Sequence, residues 1–219
     1  MGDINRPDYT VLQAAVRTSG VQYNSQAQAH PDTADLFVAQ GLPPYTEMAR
    51  QGLGWQAMAT AAVAALVVRP TTVAIATLWN GEPAGGKSLI MDAAFAHNLV
   101  GVANSDYGIW LCVHPVGMAA PTNDITVRNS MSGRPANSGN ARTFFDNGAT
   151  VADDGWFPWG NSVANVTITV PGGQVEAKIE GRIIIPPTAG ISISIVADTT
   201  GVTSTCGFRW FEKALTLGW

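Results

Sequence analysis

Across 219 residues, 46% of the side chains are apolar and only 13% are charged, with a formal net charge of -4. Soluble domains ordinarily carry roughly 25% charged residues, so this surface lacks the charge that keeps lone monomers apart. The acidic balance and the absence of any Lys/Arg cluster argue against a nucleic-acid partner, whose contact face is built basic. The length fits one large β domain, or one domain with an appended arm.

The first ten residues, MGDINRPDYT, carry no basic segment followed by an apolar one, so no signal peptide is expected. Residues 1–52 are rich in Gln, Ala, Asn, Asp and Pro and are expected to form an N-terminal arm. Short helical turns are predicted over Tyr9–Arg17, with Leu12, Ala15 and Val16 on one side and Gly20 as the stop. Further turns are predicted over Thr33–Gln40 and Tyr45–Gln51. None is long enough to build a core alone. The arm either packs along the domain or a neighbouring subunit, or is a tail without fixed structure.

Residues 53–219 are expected to be all-β. The alanines of Trp55–Val68 suit a helix, but Arg69-Pro70 stops the run and no cap precedes it, which favours a strand. The longest apolar run, Ala57–Val68, is too short to cross a bilayer, so no membrane partner is expected. Thr71–Trp79 (TTVAIATLW) alternates. Asn80-Gly81 is a strong turn signal, and NGEPAGGKS reads as a hairpin loop. Ser88–Val100 is one long strand or two broken ones, Tyr107–Val113 a buried strand and Asp124–Arg128 a short one. Residues 130–141 form a loop of Ser, Gly, Asn and Pro, and Val163–Val170 alternates again. Within Pro171–Asp198, Val175, Ala177 and Ile179 alternate with charged residues, and Ile191, Ile193 and Ile195 alternate with Ser192 and Ser194. A side-chain period of two puts each apolar set on one sheet face. The two runs are expected to pair as a β-hairpin turning at Pro186-Pro187. Thr203–Leu217, with Cys206, Phe208, Trp210 and Ala214 alternating, closes the domain. This spacing predicts an antiparallel jelly roll, β-sandwich or barrel of eight to ten strands.

Gly81 to Ser88 satisfies the phosphate-loop pattern G-x-x-x-x-G-K-[ST], with Lys87 as its lysine and Asp198 as a candidate magnesium ligand. A phosphate loop must open a helix inside an alternating α/β fold, which the strand-rich remainder of the chain argues against. Cys112 and His114 stand two apart on one strand and so share a face, one requirement of a metal or nucleophile site. The sequence offers no third ligand, and a structural histidine is the commoner outcome. Asp153-Asp154 before Gly155 suits a solvated turn better than a calcium site. No G-x-S-x-G context surrounds any serine. Cys112 and Cys206 lie in apolar runs and read as buried free thiols. No catalytic, cofactor or metal-binding residue is therefore assigned. The aromatic group Trp156, Phe157 and Trp159, with the terminal Trp219, is the candidate contact surface. It serves either packing and subunit contact or, through Trp156 and Trp159, stacking on a sugar ring.

The segments LWNGEPAGGKSLI, GIWLCVHPVGM, DDGWFPWGNSV and EGRIIIPPTAGISISIVA together resemble uncharacterised structural proteins of environmental bacteriophages, over roughly residues 50–219. The last segment also looks like the strands of trimeric jelly-roll domains in viral spikes and decoration proteins. The resemblance implies a non-enzymatic virion component (capsid, decoration or tail-associated) assembled in the host cytoplasm. Its implied partners are copies of itself and other virion proteins; a host-surface glycan is the partner of the alternative reading, a carbohydrate-binding or receptor-binding β-sandwich using Trp156 and Trp159. It carries over no catalytic residue.

Overall fold

The computed structural model describes residues 44–217, apart from 72–73, 103–104, 122–123, 135, 137–142, 148–152, 160–162 and 166–172, together with two short strands nearer the N-terminus. The chain forms two compact units, Met1–Pro44 and Tyr45–Trp219. The first contains β1 (Gln28–Ala29) and β2 (Leu36–Phe37), paired antiparallel. Leu36 and Phe37 therefore belong to a strand, against the helical turn expected over Thr33–Gln40: two β-partners outweigh a weak local helical preference. The helix expected over Tyr9–Arg17 lies outside the described residues.

Helix α1 (Pro44–Arg50), all but its first residue in the second unit, lies close to the turn expected over Tyr45–Gln51. Proline starts it, Glu47 sits in its first turn, and Arg50 binds Glu47 at 2.6 Å, an arrangement that suits the helix dipole. Tyr45 stacks on Phe211 with ring centroids 5.5 Å apart.

Thirteen strands follow among the described residues, in two antiparallel sheets. They are β3 (Gly54–Met58), β4 (Val63–Ala64), β5 (Ala76–Asn80), β6 (Lys87–Val100), β7 (Ser105–His114), β8 (Arg128–Asn129) and β9 (Thr143–Asn147), then β10 (Phe157–Pro158), β11 (Val163–Asn165), β12 (Gln174–Lys178), β13 (Ile184–Ile185), β14 (Gly190–Ala197) and β15 (Thr203–Ala214). The first sheet runs β12-β6-β15-β3-β8, with β13 also on β6 and β4 on β15. The second runs β10-β7-β14-β5-β9, with β11 also on β7. Inward residues of both sheets, including Leu89, Met91, Cys206, Phe208 and Trp210 from one and Leu78, Ile109, Leu111, Ile191, Ile193 and Ile195 from the other, fill one continuous core. The fold is thus an all-β sandwich with alternating inward and outward side chains.

Ser88–Val100 is one strand with a bulge. Opposite β15 the register runs Trp210 to Met91 and then Arg209 to Ala93, skipping Asp92. The inward set changes there from Leu89 and Met91 to Ala94 and Ala96. Such an extra residue re-phases the pleat. The Asp92 carbonyl accepts the N–H groups of Ile179 and Glu180, each at 2.8 Å. That wraps the turn after β12, where Glu180 (φ 53°) and Gly181 (φ 78°) adopt left-handed backbone, around the bulge.

Two expected hairpins are not formed. β12 pairs with β6 in the first sheet, whereas β14 pairs with β5 and β7 in the second. The segment between them, through Pro186-Pro187, carries the chain from one sheet to the other. Likewise β5 and β6 lie in different sheets, so the loop after Asn80-Gly81 is a crossover. Asn80 braces that crossover: its Nδ2 donates to the carbonyls of Lys87 at 2.8 Å and Ile185 at 3.0 Å, and its Oδ1 accepts the Glu82 N–H at 3.1 Å. Lys87 then opens a 14-residue strand. The helix N-terminus that a phosphate loop requires is absent there, and the Lys87 ammonium instead faces the Glu212 carboxylate at 3.8 Å. Among the described residues, no helix is long and apolar enough to cross a membrane.

Candidate functional site

The outer face of the second sheet carries its polar set. The register aligns Thr77 of β5, Ser192 of β14 and Cys112 of β7 in one row across three strands, with His114 one pleat further along β7. The alternation of serines and isoleucines in β14 put Ser192 and Ser194 on this face, as the period of two requires. The face is nevertheless covered, and Thr77, Ser192, Ser194, Cys112 and His114 are all buried. Its cover comes from Ala74, just before β5, and from residues 153–159, whose end forms β10 along the edge of β7.

Arg69 ties the covering segment down. Its guanidinium donates to the Trp156 carbonyl at 3.0 Å and 3.3 Å, and to the Asp154 carbonyl. Trp156, only 2% exposed, seals Cys112 and Ala74. Phe157 lies opposite Leu111 and the Trp159 N–H donates to the Ile109 carbonyl at 2.9 Å, so both side chains turn to the inner face and pack on the main core. Their rings sit 5.6 Å apart, tilted by 58°. Trp156 is thus buried, and Phe157 and Trp159 are partly buried against the core. Trp156 and Trp159 do not form a paired platform for a sugar, because the edge pairing of β10 sends neighbouring residues to opposite faces and buries Trp156. Trp219 lies outside the described residues.

The same segment delivers Asp153 to the Cys112–His114 pair. His114 Nδ1 lies 2.8 Å from Asp153 Oδ2 and 3.8 Å from Cys112 Sγ. On its far side, His114 Nε2 lies 2.7 Å from Ser192 Oγ, which in turn lies 2.7 Å from Thr77 Oγ1. The Gly155 N–H donates to Asp153 Oδ1 at 2.7 Å, which fixes the carboxylate and aims Oδ2 inward. One donor atom each of Cys112, His114 and Asp153 falls within 4.8 Å of the others. Spacing alone puts Cys112 and His114 on one face and offers no third partner; the fold brings Asp153, which in sequence stands beside Asp154, to that place.

The electrostatics follow from burial. Burial, aided by the negative charge of Asp153, pushes the Cys112 thiol up to about 12. A thiol so held is a poor nucleophile. Burial also acts to raise Asp153, but the hydrogen bonds from Gly155, His114 and Cys112 outweigh it and hold the carboxyl below its ordinary value. Ser192, His114 and Asp153 have the hydrogen-bond order of a nucleophilic triad. Ser192, however, is fully buried in the middle of the sheet with its hydroxyl held between His114 and Thr77, which gives a substrate carbonyl no place to stand. Cys206 is a second buried free thiol, in the core of the first sheet and away from this group. Comparisons with protein families, with curated proteins and with solved structures find no match for this chain.

Proposed function

We propose that this chain is a non-enzymatic virion structural protein of jelly-roll type that assembles with copies of itself, in a capsid, decoration or tail-associated position. One observation carries the reading. Val67 and Val68 are 52% and 66% exposed, and Leu99 and Val100 are 36% and 45% exposed. They collect at one end of the sandwich. Val100 and Ala64 flank Thr203, the first residue of β15, on its two sides, and Val67 and Val68 follow Ala64 directly after the Leu66–Val196 bridge. Neighbouring exposed aliphatic side chains are the mark of a contact surface rather than of a monomer's exterior. The sparse charge of the chain points the same way, since a lone monomer of this composition has little to keep it in solution. The N-terminal arm expected over residues 1–52 belongs to this reading, and the phage-like wording of the strand segments supplies the virion setting.

Burial of more than about 1,000 Å² would make such a contact stable, at roughly 25 cal/mol per Å² of apolar area. Light scattering and sedimentation of the full chain at micromolar concentration test the proposal. A single closed oligomer or larger assembly is expected. A monomer at all accessible concentrations sinks it.

A further inference from the structure

We propose that Cys112 Sγ, His114 Nδ1 and Asp153 Oδ2 bind a divalent transition-metal ion of the zinc type, fixing residues 153–159 onto the second sheet. The three donors suit a borderline-soft ion: thiolate, imidazole and carboxylate select zinc, cobalt or nickel over magnesium and calcium, which prefer oxygen alone. With metal–ligand bonds of about 2.0–2.3 Å, the ligand atoms of a tetrahedral site stand about 3.3–3.7 Å apart. The Cys112–His114 separation of 3.8 Å lies just beyond that edge, the His114–Asp153 separation of 2.8 Å has to open by a fraction of an ångström, and no pair of the three atoms is more than 4.8 Å apart.

Three further features prepare the site. The nitrogen of His114 that faces away from the cluster is held by a hydroxyl, Ser192 Oγ at 2.7 Å, as the outer nitrogen of a metal-bound imidazole characteristically is. Ser192 passes the contact on to Thr77, so its hydroxyl can accept from His114 and donate to Thr77. The other oxygen of Asp153 is held by the Gly155 N–H, which leaves Oδ2, now 2.8 Å from His114 Nδ1, as the oxygen turned toward the ion. At residue 155 a Cβ would stand 3.0 Å from Asp153 Oδ1 and 3.5 Å from Cys112 Sγ, and glycine keeps that side of the cluster uncovered. Asp153, at 20% side-chain exposure, is the solvent-facing member and gives the ion its approach and its fourth ligand, a water. Binding releases the Cys112 thiol proton to solvent. The imidazole proton moves from Nδ1, where it bridges to Asp153, to Nε2, where it donates to Ser192.

Cobalt(II) titration of the full, tag-free chain, reduced and stripped with chelator, tests this directly. One ion per chain is expected, with a thiolate-to-cobalt charge-transfer band and the visible spectrum of a tetrahedral centre, both erased by equimolar zinc. Cys112→Ser is expected to abolish the charge-transfer band. Asp153→Asn is expected to weaken binding at least tenfold, and Ser192→Ala about 10–100-fold, as for other outer-sphere partners. His97→Gln is expected to change nothing. If the wild-type chain shows no thiolate band up to millimolar cobalt, the group is a hydrogen-bonded cluster and the proposal fails. It fails equally if the band survives in Cys112→Ser, which would assign it to Cys206.

Discussion

Glu212 shows how a single buried carboxyl can work against the fold that holds it. Its side chain is almost wholly buried near the end of β15. Burial raises its carboxyl above the ordinary glutamate value of 4.5, against the opposing pull of the Lys87 ammonium. The folded state therefore holds the proton more tightly than the unfolded chain does. The favourable contribution is complete below the ordinary glutamate range and is lost as pH rises through the raised folded value. Glu212→Gln removes the charge and keeps the shape, and Lys87, with 43% of its side chain exposed, remains solvated without its partner. The variant is expected to unfold at higher urea than wild type at neutral pH, with the advantage vanishing in acid. An equal midpoint at neutral pH would mean that the Lys87 pair fully offsets burial.

Strand β15 sits at the centre of the first sheet, and Gly207 is where its neighbour comes closest. A Cβ at that position would lie 2.2 Å from the Ala57 carbonyl and 2.7 Å from the Phe95 ring. The backbone of β3 would have to move, because a carbonyl in a ladder cannot swing aside as a side chain does. Gly207→Ala is expected to cost about 1–3 kcal/mol in chemical denaturation, and a change within about 0.5 kcal/mol, the range of ordinary surface substitutions, would show that the strands can separate freely. Ile193→Ala, in the middle of β14 and fully buried, is expected to cost about 2–5 kcal/mol by the same measurement. The alternation that marks Ile191, Ile193 and Ile195, or Cys206, Phe208 and Trp210, is local, and it was legible in the sequence because inward and outward residues differ in kind. Which strand lies beside which is not local. The turns at Asn80-Gly81 and Pro186-Pro187 have the chemistry of hairpin turns yet carry the chain between sheets, since a turn residue fixes backbone angles and not the partner. β9 is not legible in the sequence for a related reason: Thr143–Asn147 follows a polar loop and is a strand through its pairing with β5. The cluster on the second sheet divides in the same way. Cys112 and His114 share a face by spacing alone, whereas Asp153, 39 residues beyond His114, arrives only because β10 adds itself to the edge of β7.

If the chain assembles as proposed, the two ends of the sandwich make different predictions. At the end where β15 begins, Val67, Val68, Leu99 and Val100 are exposed together; at the other, beyond His114, Val116 stands 56% exposed on a turn held by Thr188. If subunits meet through the first end, Val67→Asp with Val68→Asp places two carboxylates in an apolar contact. Each valine withdrawn from such a contact forfeits about 1.5–3 kcal/mol of burial, before any cost of desolvating the new charge. Association is then expected to weaken by at least about a hundredfold, since about 2.7 kcal/mol corresponds to that factor. Neither side chain is part of the core, so far-ultraviolet circular dichroism and the urea midpoint of the dissociated variant should match those of a folded subunit. Val116→Asp, comparably exposed and adding one carboxylate to the double variant's two, is the control for added surface charge and is expected to leave the oligomer intact. Sedimentation of the two variants side by side separates the cases: dissociation by Val116→Asp with the double variant still assembled would move the contact to the opposite end of the molecule.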